Sequence, residues 1–356
     1  MTDRNTDRNT NRSTDRSTDR STNRSVTVEP TSDEVRWERA CDASGQPVTP
    51  FHTFRFLTVV APMLTNRFRG FVVRAGGADV GVVPWLTLRR GPVTVVNRMP
   101  FPYVGPLVPD ELLVPTLAAL RSPARRSRAV VEEHQFAPGT TMSAETAARC
   151  GFELTLDRTF VLDTARSAED LFAGLTSRTR SLVRKAERNG IAVGVADNGH
   201  ATLARIEEQI YDRKGLASPY GPPFPPTAAQ LVGDRLEAHW SLATSGEQQL
   251  ATLLTLRRGA TSGIWVGGVF PEHRASAANV ALVWDAISWA HDHGVSVFDF
   301  VGLPDPGIEK FKKQFGGQLQ TYPVLRRFAP GWRRVQSLAD RVAARRAGRG
   351  AEVAPA

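Results

Sequence analysis

Three lysines, Lys310, Lys312 and Lys313, fall in one short turn, KFKKQFGG. The turn follows a strand-like run, VSVFDF, and a loop that carries Pro304, Pro306 and Gly307. A cation held in such a turn can stabilise an oxygen that gains negative charge, because the attraction grows toward the transition state. By residue type alone, a solvated lysine cluster explains the turn as well. Asp299 lies between Phe298 and Phe300, so in a strand it faces away from both. It is either a base or a carboxylate that caps nearby backbone, and the second role is preferred. The run SRTRSLVRKAERNGIAV crowds Arg178, Arg180, Arg184, Lys185 and Arg188 onto a short helix closed by Asn189-Gly190. That pattern suits phosphate binding or a solvated face. There is no nucleophile–base set, no phosphate-cradling P-loop and no GxGxxG dinucleotide motif. His291 and His293 are two apart and do not share a helical face, and His273 is remote, so no metal site is expected.

The elements that must position these residues follow from periodicity. Val280, Val283, Trp284, Ile287 and Ala290 recur at helical spacing, and Gly294 sits where a left-handed helix cap is wanted. VSVFDF has the β-branched and aromatic residues of a core strand, expected to end at Gly302. Earlier, a helix is expected within Pro50 to Met63, then consecutive strands with turns at Gly76-Gly77 and Gly91-Pro92. PFPYVGPLVPD reads as a structured loop, and a helix and a strand follow it. Near Thr159 a second unit opens, with Ser167 and Asp170 forming a capping box. A helix over Leu203 to Lys214 leads to a proline-dense loop, Gly215 to Pro226, read as a lid. The stretch QLVGDRLEAHWSLATS is predicted helical, and QQLATLLTLRRGATSGIWVGGVF is predicted to be two strands joined at Arg258-Gly259.

The chain has 356 residues, enough for two domains, and 41% of them are hydrophobic, enough for a sizeable core. No apolar run reaches membrane-spanning length and no secretory leader is visible. Cys41 and Cys150 are far apart, which fits a reduced cytoplasmic protein. The formal charge of +9 suits a polyanionic partner, although arginine-rich ends account for part of it. Thr2 to Ser25 is a tetrapeptide array without apolar residues, read as a disordered tail. The arginine-rich stretch after Pro330 has a weak apolar stripe; it reads as a solvated helix, with peripheral membrane contact as the other possibility.

Several of these stretches together resemble the FemAB/FemX-type aminoacyltransferases and the related BioF2-like GNAT acyltransferases. The strongest block supplies Ala290, Gly294, Phe298, Asp299, Phe300, Gly302, Gly307, Phe311, Lys312, Phe315 and Gly316 in one register. Arg180, Arg184, Lys185, Ala186, Arg188 and Gly190 match the basic helix, and Gly81, Pro84, Trp85, Tyr103, Gly105, Pro106 and Leu107 match the first domain more loosely.

The resemblance implies a mixed α/β fold of two tandem GNAT-like domains. Its expected divisions are a tail over 1–28, a first domain over 29–157, a catalytic domain over 158–330 and a basic tail over 331–356. It places Phe311 and Lys312 at the reacting ester. It puts Tyr103, Arg180, Arg184, Lys185, Tyr211, Lys214, Trp265, Arg274 and Asp299 at substrate. The donor it implies is a charged tRNA, with no bound cofactor, and the acceptor is an amine of a peptidoglycan precursor or a small metabolite. Acyl-CoA is the alternative donor. Against it, the place where CoA-using relatives carry glycines reads Arg274-Ala275-Ser276-Ala277-Ala278-Asn279. A catalytically inactive GNAT-like binding protein is a third reading.

Overall fold

The computed structural model describes residues 25–333, apart from 65, 92, 215–229 and 304–305. The repeat tail, the proline-dense loop and almost all of the C-terminal basic stretch lie outside the described residues. Twelve strands form one sheet: β1 (Val26–Thr31), β2 (Asn66–Ala75), β3 (Ala78–Arg90), β4 (Val93–Val96), β5 (Ala129–Gln135), β6 (Glu153–Asp163), β7 (Ile191–Val195), β8 (Glu237–Ser245), β9 (Gln248–Arg258), β10 (Thr261–Val269), β11 (Val297–Asp299) and β12 (Gln318–Phe328). Their order across the sheet is 1-2-3-4-5-12-6-11-10-9-8-7.

Each half repeats one plan. Three antiparallel pairings lead to one parallel pairing, β4 with β5 in the first half and β10 with β11 in the second. A sixth, antiparallel strand completes each half: β12 beside β5, and β6 beside β11. The sixth strands are exchanged, since β12 follows the second half in sequence yet completes the first. β6 and β12 pair with each other over nine residue pairs, from Gln318↔Val161 to Arg326↔Glu153, and fuse the halves into one sheet. The expected division at 157/158 falls inside β6.

The helices fill the crossovers. In the first half these are α1 (Glu34–Ala43), α2 (Phe54–Met63), α3 (Leu113–Ala119), α4 (Arg121–Ser127) and α5 (Ala144–Cys150); in the second they are α6 (Ala168–Gly174), α7 (Ser177–Arg188), α8 (Gly199–Lys214), α9 (Ala278–Asp292) and α10 (Pro306–Lys312). Ser167 caps α6 and also bonds the Asp170 carboxylate at 2.8 Å, as its spacing predicts. α9 buries Val280, Leu282, Val283, Ala286, Ile287 and Ala290, so it is covered on most of its circumference. Gly294 takes the left-handed conformation beyond its end, at φ 70°. The structure corrects the predicted helix in QLVGDRLEAHWSLATS. Gly233 and Leu236 form a bridge, and Glu237–Ser245 is β8, between β7 and β9. Its leucines and alanines favour helix weakly, and a full ladder on both edges outweighs that preference.

The core of the first half and the space between the halves is aromatic, with Trp37, Phe51, Phe56, Phe101 and Tyr103 almost fully buried. Arg258, at the end of β9, reaches across to α1 and donates to Glu38 at 3.1 Å and to Asp42 at 2.7 Å. Close beside it, burial and then the Arg258 charge depress the His52 imidazole to about 3. The folded chain therefore keeps His52 neutral while the unfolded chain, near its ordinary 6.5, takes up a proton.

Two outcomes follow. Stability should fall as pH falls from about 6.5 toward 3, with His52 accounting for about 2 kcal/mol between pH 7 and pH 5. Urea midpoints across that range should drop less steeply for His52→Gln than for the native chain. At Gly81 an added Cβ would stand 2.1 Å from the Leu107 carbonyl oxygen, where the 103–107 loop bonds β3. Gly81→Ala should therefore cost roughly 1–3 kcal/mol and lower the melting midpoint by several degrees.

Candidate functional site

The site is built where β10 and β11 part. They pair in parallel only over Thr261–Gly263 and Val297–Asp299, and β10 then bulges between Ile264 and Val266, which turns Trp265 out of the ladder register. β11 ends at Asp299, earlier than the sequence suggests. Val301 sits at φ 53° and Gly302 at φ 67°, and a left-handed conformation is strained for a β-branched residue such as Val301. The chain can hold that turn because its polar groups are held on both sides.

Asp299 supplies one side. Phe298 and Phe300 pack into the core under α9, and the Asp299 carboxylate points the other way, toward the first half. It accepts from the Tyr103 hydroxyl at 2.6 Å, the Thr159 hydroxyl at 2.6 Å and the Val301 amide at 2.8 Å. Burial pushes its carboxyl above the ordinary value, against the pull of these donors and of the Lys312 charge. Asp299 thus caps the backbone of its own turn through the Val301 amide. Tyr103 also departs from expectation: it is fully buried, with φ 66°, and reaches no open surface. Its ring meets Phe51 and Tyr322, and its hydroxyl ties the first half to Asp299, so it positions the site and does not line it.

Lys312 supplies the other side. α10 brings its ammonium back onto the turn, where it donates to the Val301 carbonyl at 2.5 Å and the Gly302 carbonyl at 2.8 Å. Lys310 and Lys313 are exposed, whereas Lys312 is partly covered. Phe311 packs against Phe315, with ring centroids 5.2 Å apart, and so anchors the short helix to the second-half core. Arg158 on β6 and Glu309 on α10 form an ion pair at 3.1 Å that fastens the outer face of the same helix.

Above the turn opens a cleft of about 550 Å³ between the halves. Its walls are the Met99–Pro102 loop, Gln135, the β6 segment Leu156 to Arg158, Trp265, Val301 to Leu303, and Tyr322. The Lys312 ammonium bonds the carbonyls of Val301 and Gly302, two of the residues that line the cleft. Asp157 and Tyr322 sit opposite each other in the β6–β12 ladder. Burial of its carboxyl, with the nearby Glu133 charge, raises Asp157 against the pull of Arg326. Tyr322 is raised by burial and by the charges of Asp157, Asp299 and Glu133, so at neutral pH its hydroxyl stays a hydrogen-bond donor. The cleft thus offers a carboxyl, a hydroxyl donor and an indole around one space, and Lys312 bonds two carbonyls of its wall residues.

Among the described residues, Trp265 is the one other residue expected at substrate that lines the cleft. Arg180 is not presented to phosphate: its guanidinium donates to the Ala173 carbonyl at 2.7 Å and to the Leu175 carbonyl, closing the end of α6. Arg184 lies over the Phe172 ring at 5.3 Å and Lys185 is exposed; neither lines the cleft. Arg274 is exposed in the turn before α9. Tyr211 and Lys214 fall in the last turn of α8, and their side chains lie outside what is described. Sequence reasoning missed Thr159, Asp157 and Tyr322. The scarcity of tyrosine, four in the chain, was the one available signal for Tyr322. Asp157 and Thr159 carry no motif, and only the strand exchange brings β6 against Asp299.

A mixed sheet in which each half carries one parallel strand pair among antiparallel ones fits a tandem GNAT fold. Residues 175–313 match the family described as an acetyltransferase (GNAT) domain. The fold is similar to that of FemX, at 17% identity, covering 83% of this chain and 96% of that one with a TM-score of 0.64. It is also similar to a tandem GNAT protein from the clavulanic acid biosynthesis pathway, at 14% identity, 86% and 99% coverage and a TM-score of 0.55. L-PGS from Bacillus licheniformis is a third likeness, at 12% identity, 87% and 96% coverage and a TM-score of 0.55. No curated protein matches the chain by sequence. The chain has a tandem GNAT fold, with its two halves arranged as in FemX. Among the described residues no helix is long and apolar enough to cross a membrane.

Tyr103→Phe removes one of three donors from a buried carboxylate. It should cost roughly 1–3 kcal/mol. Losing that donor raises Asp299 further in the folded state, so the deficit should grow as pH rises. Denaturant midpoints of the variant and the native chain should lie closer together at pH 5 than at pH 8.

Proposed function

We propose that this protein transfers an aminoacyl group from charged tRNA to a primary amine, in the manner of the FemX-like enzymes, with a peptidoglycan precursor as the preferred acceptor and a small amine metabolite as the alternative. The observation that carries the reading is the Lys312 ammonium, fixed by two carbonyls in the wall of the inter-half cleft. Amine attack on the aminoacyl ester forms a C–N bond and loads negative charge on the carbonyl oxygen. The ester C–O bond then breaks and the ribose oxygen leaves with the proton that the amine gives up. A cation already in place stabilises both charged oxygens without reorganising at that moment. Phe311 keeps the lysine's helix packed and water out from below. A positioned neutral amine needs no strong base, because proximity alone contributes many kcal/mol. The cleft's acidic and hydroxyl groups, Asp157 and Tyr322, suit the orientation of an amine.

An acyl-CoA donor is the second reading, and one observation favours it. Ala277, at the start of α9, takes φ 70°, the left-handed conformation that glycines supply in CoA-binding loops. Thermal shift against CoA thioesters and against charged tRNA separates the two donors, since a ligand of the native state raises the midpoint by mass action.

The test uses labelled aminoacyl-tRNA with a nucleotide-linked stem peptide. Lys312→Ala should lower kcat by ~100–1000-fold, with less change in the KM of either substrate. Lys312→Arg should recover part of the loss. Transfer that proceeds unchanged in Lys312→Ala would remove the assigned role.

A further inference from the structure

Away from the cleft, the first half carries a groove of about 1500 Å³ between its sheet face and α4. Arg67 and Arg69 project from β2, Arg89 from β3 and Arg126 from α4, and all four line the groove and are exposed. Residues two apart on a strand share a face, so the Arg67 and Arg69 side chains leave the sheet about 7 Å apart. Thr87, which pairs with Arg67, places Arg89 two residues further along that same face. No aspartate or glutamate lines the groove, and among the described residues none of the four arginines is ion-paired. The wall also carries serine and threonine hydroxyls and an apolar part that includes Phe68, Phe71 and Trp85. Four unneutralised guanidinium groups on two facing walls fit a chain of phosphates that enters between them. A flat anionic surface would meet only one wall.

One buried contact links the groove's lining to that of the cleft. Asn66 closes its end and its Nδ2 lies 3.2 Å from the Met99 sulfur, while Met99 begins the loop that walls the cleft. We propose that this groove of the first half binds the phosphodiester backbone of the RNA donor. The proposal rests on the aminoacyl-tRNA reading above and adds to it the surface that holds the RNA.

Fluorescence anisotropy with a fluorescein-labelled tRNA transcript tests it, at 50 to 200 mM salt, with R67E/R69E/R89E/R126E beside the native chain. The native chain should bind with a steep salt dependence. The variant should bind at least ~10-fold more weakly, with the slope of log K against log salt shallower by roughly 3, as expected for four lost phosphate contacts. Its KM for charged tRNA should rise while the KM for the amine holds. If the fourfold variant has a lowered melting midpoint, Arg67→Gln and Arg126→Gln singly should each still shallow the slope. Unchanged tRNA binding in folded variants would overturn the groove and leave the donor reading intact. Absence of tRNA binding by the native chain, together with a thermal shift by acyl-CoA, would overturn both. Loss of binding to phosphatidylglycerol vesicles in the variants, without any change toward tRNA, would assign the groove to a membrane and overturn the proposal.

Discussion

One carboxylate organises this molecule. Asp299 gathers a tyrosine hydroxyl from the first half, a threonine hydroxyl from the exchanged strand and an amide from its own turn. Placing such a group in the interior is unfavourable unless donors meet it, and these three do. In return the carboxylate fixes the left-handed turn at Val301, which a valine would otherwise avoid. Lys312 then closes the other side of the turn through two carbonyls. Strain in the backbone, a carboxylate beneath it and an ammonium behind it form one unit, and the cleft wall is its upper surface.

This unit explains why the Phe-Asp-Phe alternation matters. The two phenylalanines send their rings under α9 into the second-half core, and that commitment aims the aspartate at Tyr103. A strand of three residues would be a weak anchor alone. Here it is held by a parallel partner on one side, an antiparallel partner on the other and two buried aromatic rings. The charges at the site are thus set by a rigid scaffold, the condition under which fixed dipoles and cations act on a reaction without first having to reorient.

Much of this could be read from the residues. Helical spacing in α9, the glycine after it, the capping pair Ser167 and Asp170 and the direction of Asp299 are local facts, and local patterns report them. The Lys312 turn was legible because several residues fell in one register with a known family. What the sequence hid is of two kinds. The β8 stretch reads as a helix in isolation because its composition is ambiguous, and only its neighbours decide. Tyr103 and Arg180 were expected at substrate, and both are engaged with the protein itself, one below the turn and one at the end of α6. Whether a polar side chain faces outward or inward depends on distant partners, and no spacing rule carries that information. Thr159 and Asp157 were missed for the same reason, since their strand belongs by sequence to one half and by pairing to both.

The exchange of the sixth strands has a consequence for how the molecule is made. Arg326 meets Glu133 across 193 positions, so the first half keeps an open sheet edge until nearly the whole chain has been synthesised. An unpaired edge is a hazard for aggregation, and late, long-range pairing is slow because loop closure must come first. The two halves therefore cannot mature one after the other on the ribosome as separate domains commonly do. Their final step is shared, and the cleft forms with it, so an incompletely folded chain holds no half-built cleft.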